Sequence, residues 1–248
     1  MRRPCLAGLA ALLLALGPAI GAPAVEPVVL GFGPPADAAG PPPGWEALTF
    51  PRAPRHTRYT VVRDDAGWVL RAESERAASG LYRPVDLDPR EHRTLSWRWK
   101  VESVPARPDP RHREGDDYAA RVYVAFRYDP GNAGLWQRAR YGAQCLIHGR
   151  YPPGLALVYV WENRLPVGTV FDSPYSDRVK IVVTRSGTAD VGRWVSETRD
   201  VYEDYRRIVG AEPSRIEGVA LMTDTDDTGG RVIAYYDAIR LGPEPSGR

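Results

Sequence analysis

The stretch Leu95-Ser-Trp-Arg-Trp-Lys-Val101 decides the fold, because apolar and polar residues alternate along its whole length. Successive side chains of a strand point in opposite directions, so one face would carry Leu95, Trp97, Trp99 and Val101. The other face would be polar. A strand of this kind is typical of an antiparallel sheet that packs on a core with one side only. The segment therefore predicts a layered β structure.

Shorter segments with similar patterning follow along most of the chain. They are His56 to Arg63, Trp68 to Ala72, Ala119 to Tyr128, Ala143 to His148, Leu155 to Trp161, Arg178 to Arg185, Gly192 to Arg199, Ile216 to Thr223 and Arg231 to Leu241. One segment predicts a helix, Val201 to Val209, with Asp200 placed to cap its first turn. Many short strands with one short helix predict an all-β fold, an antiparallel β-sandwich of the jelly-roll type.

The N-terminus predicts export. Arg2 and Arg3 precede an apolar run from Leu6 to Leu16, and small residues follow, which is the plan of a secretory signal peptide over residues 1–24. We expect cleavage near Gly21 or Ala24 and a periplasmic or secreted location. The apolar run is shorter than a membrane-spanning helix, so no integral membrane segment is expected.

The rest of the chain predicts one domain. Residues 25–44 are rich in proline, alanine and glycine, which is typical of a linker, although Val28 to Phe32 could form an N-terminal strand. From Trp45 onward the predicted strands follow one another. We therefore predict a single β-sandwich over residues 45–242 and a disordered tail over residues 243–248.

Charge and cysteine content exclude several classes. The 33 basic and 31 acidic residues nearly balance, and removing Arg2 and Arg3 leaves 31 of each. The lysines are only Lys100 and Lys180, so no basic tract exists to bind nucleic acid. Cys145 would be the single cysteine of the mature chain, so stability depends on a hydrophobic core rather than an internal disulfide.

An acidic loop is the first candidate site. Leu221-Met-Thr-Asp-Thr-Asp-Asp-Thr-Gly-Gly230 carries three carboxylates in four positions between two predicted strands. Adjacent anions raise one another's pKa, so cations or hydrogen-bond donors must relieve them. The loop is no EF-hand, because Tyr235 occupies the twelfth position and no helices flank it. Two interpretations stay open: a looser calcium site on Asp224, Asp226 and Thr228, or a polar turn.

A second acidic segment, Gly115-Asp-Asp-Tyr-Ala-Ala-Arg-Val-Tyr-Val124, opens a predicted strand. Its core face is predicted to carry Ala120, Val122, Val124 and Phe126. Arg121 would be structural if it is buried with Asp116 or Asp117, whereas exposed groups would bind a ligand.

The two acidic segments could form one site. If Asp117 lies near Asp224, Asp226 or Asp227, two carboxylates could perform glycoside hydrolysis, which needs a separation of at most about 9.5 Å. No serine-nucleophile, zinc-protease or phosphate-loop motif occurs, so no motif decides whether the protein is an enzyme.

Aromatic residues form the third candidate. Tyr159 and Trp161 lie on a predicted strand that ends at Asn163. Sugars bind aromatic faces together with amides and carboxylates, so these residues could line a binding pocket. The alternative is that they fill the core, as we expect of Trp97 and Trp99.

Four segments together resemble a family of exported bacterial proteins described only as a domain of unknown function. They are Ala78-Ser-Gly-Leu81, Leu95 to Val101, Gly115 to Val124 and Met222-Thr-Asp-Thr-Asp-Asp-Thr228. The resemblance implies an envelope-located β-sandwich in a Gram-negative bacterium. It does not imply any particular reaction. The ending Tyr235-Tyr-Asp-Ala-Ile-Arg-Leu241 is also similar to the last strand of galactose-binding-like jelly rolls and several carbohydrate-binding modules.

Three functions follow as hypotheses. The leading one is a binding module for a glycan or another polar ligand. The second is a glycan-active hydrolase that uses paired aspartates, and the third is a non-catalytic envelope scaffold. The first predicts a concave patch that contains Trp161 or Tyr159 beside aspartate or arginine side chains.

Overall fold

The computed structural model describes residues 25–34, 40–51, 53–65, 67–105, 109–129 and 154–244. The predicted signal peptide, Cys145, the strand predicted over Ala143 to His148 and residues 245–248 of the predicted tail lie outside these ranges. Within them, no helix is both long enough and apolar enough to span a membrane.

Strands dominate the described residues. They are β1 (Val28–Val29), β2 (Glu46–Thr49), β3 (Arg58–Asp64), β4 (Gly67–Glu75), β5 (Ser79–Leu87), β6 (Thr94–Val101), β7 (Ala120–Phe126), β8 (Leu155–Glu162), β9 (Val170–Ser173), β10 (Ser176–Ser186), β11 (Val195–Asp200), β12 (Ile216–Met222) and β13 (Arg231–Gly242). A 3-10 turn covers Arg113–Gly115, and the α-helix α1 covers Val201–Val209.

These strands form two sheets. Sheet A has the order β11-β6-β13-β4-β3, with β1 paired to β13, and sheet B has the order β2-β5-β12-β7-β8-β10-β9. Eight of the strands form a jelly roll, with β4-β13-β6-β11 in sheet A and β5-β12-β7-β8 in sheet B. From β4 to β7 the chain alternates between the sheets. The predicted β-sandwich of the jelly-roll type with one short helix is therefore confirmed.

One strand pair departs from the antiparallel prediction. β10 runs parallel to β8 and forms a hairpin with β9, so these two strands extend sheet B beyond the eight strands of the jelly roll. Alternation along a strand indicates which side chains share a face and says nothing of the direction of its neighbour. The sequence pattern therefore could not reveal the parallel pair.

The core lies between the sheets and takes alternate residues from their strands. The predicted core faces of β6 and β7 are buried in it: Leu95, Trp97, Trp99, Val101, Ala120, Val122, Val124 and Phe126. The Trp97 and Trp99 rings pack edge to face with their centroids 5.3 Å apart. Both tryptophans are core residues, as predicted.

Helix α1 has the predicted bounds and cap. The Asp200 carboxylate accepts a hydrogen bond from the Glu203 amide at 2.9 Å, and Gly210 ends the helix in the left-handed conformation with φ of 75°. Arg199 on β11 forms an ion pair with Asp204 at 2.6 Å. The cap and the ion pair fix the helix against the end of the sandwich.

Sheet B is buried on both faces over residues 157–162 of β8 and 181–184 of β10. A second apolar cluster, separate from the core between the sheets, contains Tyr118, Val158, Val160, Ile181 and Val183. On β8 these valines alternate with Tyr159 and Trp161, which belong to the core between the sheets. An uninterrupted apolar run is typical of a strand that is covered on both faces.

Candidate functional site

Strand register brings the two acidic segments together. β7 and β12 are antiparallel neighbours, and Arg121 near the start of β7 lies opposite Met222 at the end of β12. The residues that precede β7 therefore meet the loop that follows β12. Asp116 and Asp117 come from the first segment, and residues 223–230 form the loop.

Asp117 anchors the loop through hydrogen bonds. Its carboxylate accepts hydrogen bonds from the backbone amide and the hydroxyl of Thr228, both at 2.6 Å, and from the Asp227 amide at 3.3 Å. The side chain is completely buried. A carboxylate that collects backbone amides of a turn fixes the conformation of that turn. Asp117 is therefore a structural anchor of the loop.

Arg121 is the cation of this buried layer, which consists of Asp116, Asp117, Arg121 and Asp224. Its guanidinium donates to both carboxylate oxygens of Asp224, with Nε to Oδ1 at 2.9 Å. It also donates to the Asp116 carboxylate at 3.4 Å and to the Asp116 carbonyl. The Tyr118 ring lies 4.3 Å from the guanidinium, and the Tyr118 amide donates to Asp224 at 3.2 Å. Of the two alternatives for Arg121, the structure has the buried ion pair, with Asp224 as the main partner.

The electrostatics of this layer follow from burial. Burial raises the pKa of the Asp224 carboxyl well above its usual range, while Arg121 opposes the rise and Asp117 adds to it. Burial also disfavours the charge on Arg121, yet Asp224 and its other neighbours raise the pKa of the guanidinium above its ordinary value. Arg121 therefore stays charged, and the chain itself supplies the cation that the acidic loop needs.

The predicted calcium ligands can be tested against these contacts. Asp117, Asp224 and Asp226 each place a carboxylate oxygen within 4.8 Å of the others. Of the predicted calcium ligands, however, Asp224 already forms an ion pair with Arg121, and the Thr228 hydroxyl donates a hydrogen bond to Asp117. A calcium ion needs six to eight oxygen ligands, and both carboxylate oxygens of Asp224 already accept hydrogen bonds from Arg121. Two of the three predicted calcium ligands, Asp224 and Thr228, are therefore engaged within the protein.

An exposed surface lies beside the buried layer, and we call it the acidic rim: Tyr175, Asp226 and Asp227. The Tyr175 hydroxyl donates to the Asp227 carboxylate at 2.8 Å, and the residue is 49% exposed. The Arg113 guanidinium lies 5.1 Å from the centre of that ring. Tyr175 is thus an exposed aromatic side chain held in one orientation by a carboxylate.

The carboxylates of the acidic rim repel one another and the buried Asp117. Asp226 is an exposed residue, but the partial desolvation of its carboxyl group raises the pKa, and the charges of Asp117 and Asp227 raise it further. Burial also raises the pKa of Asp227, although the hydrogen bond from Tyr175 lowers it. A polar or cationic ligand group would relieve this repulsion.

The structure corrects the aromatic candidate. Tyr159 and Trp161 have no exposed surface, so neither can contact a ligand from solvent. The Tyr159 hydroxyl donates to Asp204 at 3.0 Å, and the Trp161 indole donates to the Gly187 carbonyl at 3.1 Å. The Asn163 amide donates to the Pro105 carbonyl at 3.1 Å. The concave patch expected around Trp161 or Tyr159 is absent from the described residues, because β8 is an interior strand with both faces covered.

Sequence reasoning missed Tyr175. It lies in the tight hairpin between β9 and β10, in the segment Asp172-Ser-Pro-Tyr-Ser176. An aromatic residue directly after proline in a turn is a usable signal, because a turn side chain has little core to enter. Its partner Asp227 follows 52 residues later, so the pairing itself could not be predicted.

The fold and these contacts define a jelly-roll β-sandwich whose acidic loop is fastened by a buried ion pair beside an exposed tyrosine. The chain belongs to the family described as "Protein of unknown function (DUF3047)", whose model matches residues 43–240. No curated protein matches this chain significantly.

Solved structures give distant similarities. The family 11 carbohydrate-binding module of the cellulase Lic26A-Cel5E of Clostridium thermocellum is 12% identical with a TM-score of 0.46, over 91% of this chain and 99% of that chain. The CBM27-1 module of Caldicellulosiruptor saccharolyticus in complex with mannohexaose is 11% identical with a TM-score of 0.39, over 90% of this chain and 100% of that chain.

Proposed function

We propose that this protein is an exported, non-catalytic binding module for a glycan, and that the ligand contacts the acidic rim. The observation that carries the proposal is Tyr175. The residue is half exposed, its hydroxyl is oriented by Asp227, and Asp226 is exposed nearby. Sugars present an apolar ring face to aromatic side chains and hydroxyl groups to carboxylates, so this combination suits a saccharide.

The buried layer supports this proposal by ordering the loop in advance. Asp117 holds the backbone at Asp227 and Thr228, and the Asp224 carboxylate at the start of the loop is held by Arg121. A binding surface that is already ordered loses less conformational entropy when a ligand binds. Asp116, Asp117, Arg121 and Asp224 therefore act as supports in this proposal, and the rim residues make the ligand contacts.

One observation favours the hydrolase hypothesis, namely the convergence of Asp117 with the loop. A glycosidase needs one carboxyl group that donates a proton to the leaving oxygen and a second that reaches the sugar or a water. Asp117 and Asp224 are buried, and all four of their carboxylate oxygens accept hydrogen bonds from the protein. These contacts support binding without hydrolysis.

A glycan array probed with the native protein and with Tyr175→Ala tests the proposal. The matched control is Tyr202→Ala, because the Tyr202 hydroxyl also donates to a carboxylate, Glu212, at 2.9 Å and its ring also lies near an arginine. We expect Tyr175→Ala to lower the affinity for the selected glycan at least about fivefold, since one aromatic contact contributes about 1 kcal/mol beyond the area that it buries. The control should bind like the native protein.

Three results would contradict the proposal: no glycan bound by the native protein, equal losses in both variants, or release of new reducing ends from the bound glycan. Repeating the array with a chelator shows whether glycan binding depends on a metal ion. We expect the glycan affinity to stay unchanged, because Arg121 supplies the cation beside the loop.

Export is tested separately by expressing the complete chain in a Gram-negative host. We expect the periplasmic or culture fraction to contain a chain that begins after Gly21 or Ala24, as judged by its intact mass. An unprocessed chain in the cytoplasm would contradict export while leaving glycan binding open to its own test.

A further inference from the structure

The acidic rim and the buried layer together hold more carboxyl groups than cations. The buried layer contains three acidic side chains and one cation, Arg121. The rim adds two more carboxyl groups. At its margin lie Arg76, which donates to the Gly229 carbonyl at 3.3 Å, and Arg113. Five acidic side chains therefore stand beside three arginines, a balance that favours a cationic ligand group over an anionic one.

Asp226 is the rim carboxyl group that a ligand can use. The Tyr175 hydroxyl bonds to Asp227, at 2.8 Å and 3.1 Å from its two carboxylate oxygens. Within the described ranges, no other residue donates a hydrogen bond to the Asp226 carboxylate, although the charges of Asp117 and Asp227 act on it. The residue is exposed. A donor from solvent can therefore reach Asp226 and pair with it.

Three carboxyl oxygens converge where the rim meets the buried layer. One oxygen each from Asp117, Asp224 and Asp226 lies within 4.8 Å of the other two. A nitrogen atom at the centre of such a triangle would lie no more than about 2.8 Å from each oxygen, which is the length of a charge-assisted hydrogen bond. The convergence therefore has the dimensions of a site for one nitrogen cation.

A primary ammonium group matches this arrangement. It carries three N–H donors that point away from one another, one for each oxygen. A carboxylate oxygen has two lone pairs, so an oxygen of Asp117 or Asp224 that already accepts one hydrogen bond can accept a second. A calcium ion would need six to eight oxygen ligands, whereas three oxygens converge at this point. The arrangement therefore suits an ammonium group better than a calcium ion.

Tyr175 limits the choice among ammonium ligands. The residue is 49% exposed, and its hydroxyl is held by Asp227. An aromatic face attracts cations, and the Arg113 guanidinium already lies 5.1 Å from the centre of this ring. The same face packs against the C–H side of a sugar ring. A ligand that combines a protonated amine with a sugar ring can therefore contact both Tyr175 and Asp226.

We propose that the glycan bound at the acidic rim contains a hexosamine unit with a free, protonated amine. This inference rests on the proposed function and adds the class of sugar. The ammonium group would donate to Asp226 and to the converging oxygens of Asp117 and Asp224, while the sugar ring packs on Tyr175. N-acetylation removes the positive charge and two of the three N–H donors, so an acetylated hexosamine should bind much more weakly.

Calorimetric titration of the native protein with the glucosamine trisaccharide and with its fully N-acetylated form tests the inference, because the two ligands differ only in their acetyl groups. At about pH 6.5, below the ordinary pKa of an amino group, we expect the free amine form to bind at least about tenfold more tightly, with an affinity that falls as salt rises. Equal affinities, tighter binding of the acetylated form, or binding of neither while the glycan array yields another ligand would overturn this inference and leave the proposed function standing. Equal binding of N-acetyl-lysine amide, an ammonium ligand without a sugar ring, would also overturn it. No glycan ligand in either assay would overturn both.

Variants locate the ammonium group. Asp226→Asn should lower the affinity for the glucosamine trisaccharide about tenfold and have little effect on the acetylated form. The variant should still fold, because it removes one of several carboxylates that repel one another. The matched control is Asp65→Asn, an exposed aspartate in the turn between β3 and β4. That turn is at the opposite end of β4 from Arg76, whose amide donates to the Gly230 carbonyl of the loop at 3.0 Å. No loss in Asp226→Asn, or an equal loss in the control, would overturn the assignment.

Discussion

Replacing Arg121 with methionine removes the only cation of the buried layer while keeping a long, unbranched side chain in the space. The guanidinium donates to the Asp224 carboxylate twice and to Asp116 at both its carboxylate and its carbonyl. Arg121 is 4% exposed and Asp224 is 2% exposed, so water cannot replace these contacts. The substitution therefore leaves an unpaired carboxylate in a buried setting.

The expected cost is about 3–5 kcal/mol of the free energy of unfolding, the range for breaking one side of a buried ion pair. A domain of this kind has about 5–15 kcal/mol in total, so the variant should still fold but with a large part of its stability lost. The double variant Arg121→Met with Asp224→Leu replaces the pair by apolar side chains and should recover most of the loss.

Urea unfolding followed by tryptophan fluorescence measures both variants, with an unchanged m value as the sign that the same surface is exposed on unfolding. A loss below about 1 kcal/mol for Arg121→Met would refute the reasoning, because it would mean that the ion pair is solvated. Failure of the double variant to recover stability would also refute it. That result would assign the cost to lost packing on Tyr118 rather than to the unpaired charge.

Two further predictions concern the loop and the entry of the chain into β8. Asp226→Asn should raise the melting temperature at pH 7.5. Desolvation and the charges of Asp117 and Asp227 raise the folded-state pKa of Asp226 above its unfolded value. The folded protein therefore loses stability as the pH rises through that pKa and Asp226 ionises, and asparagine removes this loss. The gain should shrink as pH falls toward the ordinary aspartate pKa, and melting curves across this range check it; a gain that grows toward acid pH would contradict the sign. Gly154→Ala should cost about 1–3 kcal/mol because the added carbon meets backbone at 2.5 Å, whereas Gly33→Ala, which meets nothing within 4 Å, should be close to neutral by the same urea assay. Equal costs at the two positions would contradict the close approach.

The fold was predictable because its signals are local. The alternation of Leu95 to Val101 can be recognised within one strand. The capping residue Asp200 lies within one helical turn of Glu203, whose amide donates the capping hydrogen bond. The parallel pairing of β8 with β10 was not predictable, since it depends on which strand comes to lie beside another. For the same reason the burial of Trp161 was missed: a position at a strand end indicates exposure only if no other layer covers it.

The candidate site divides in the same way. The sequence identified the acidic residues at both segments, but the contact between Asp117 and Thr228 joins positions 111 residues apart. That contact is created by the register of β7 against β12. The role of Arg121 depends on burial, which the residue type alone does not decide, and the orientation of Tyr175 depends on a carboxylate from a distant loop.

The use of an arginine where an acidic loop could have used a metal ion has a consequence for cooperativity. A bound ion can dissociate and leave its loop unfolded on an otherwise intact sheet, whereas Arg121 is part of β7 and cannot leave while β7 is paired with β12. Local opening of the loop and separation of these two strands should therefore be one event. Amide hydrogen exchange at Asp227 and Thr228, the amides that bond to Asp117, is expected to require the same opening free energy as the exchange of β12.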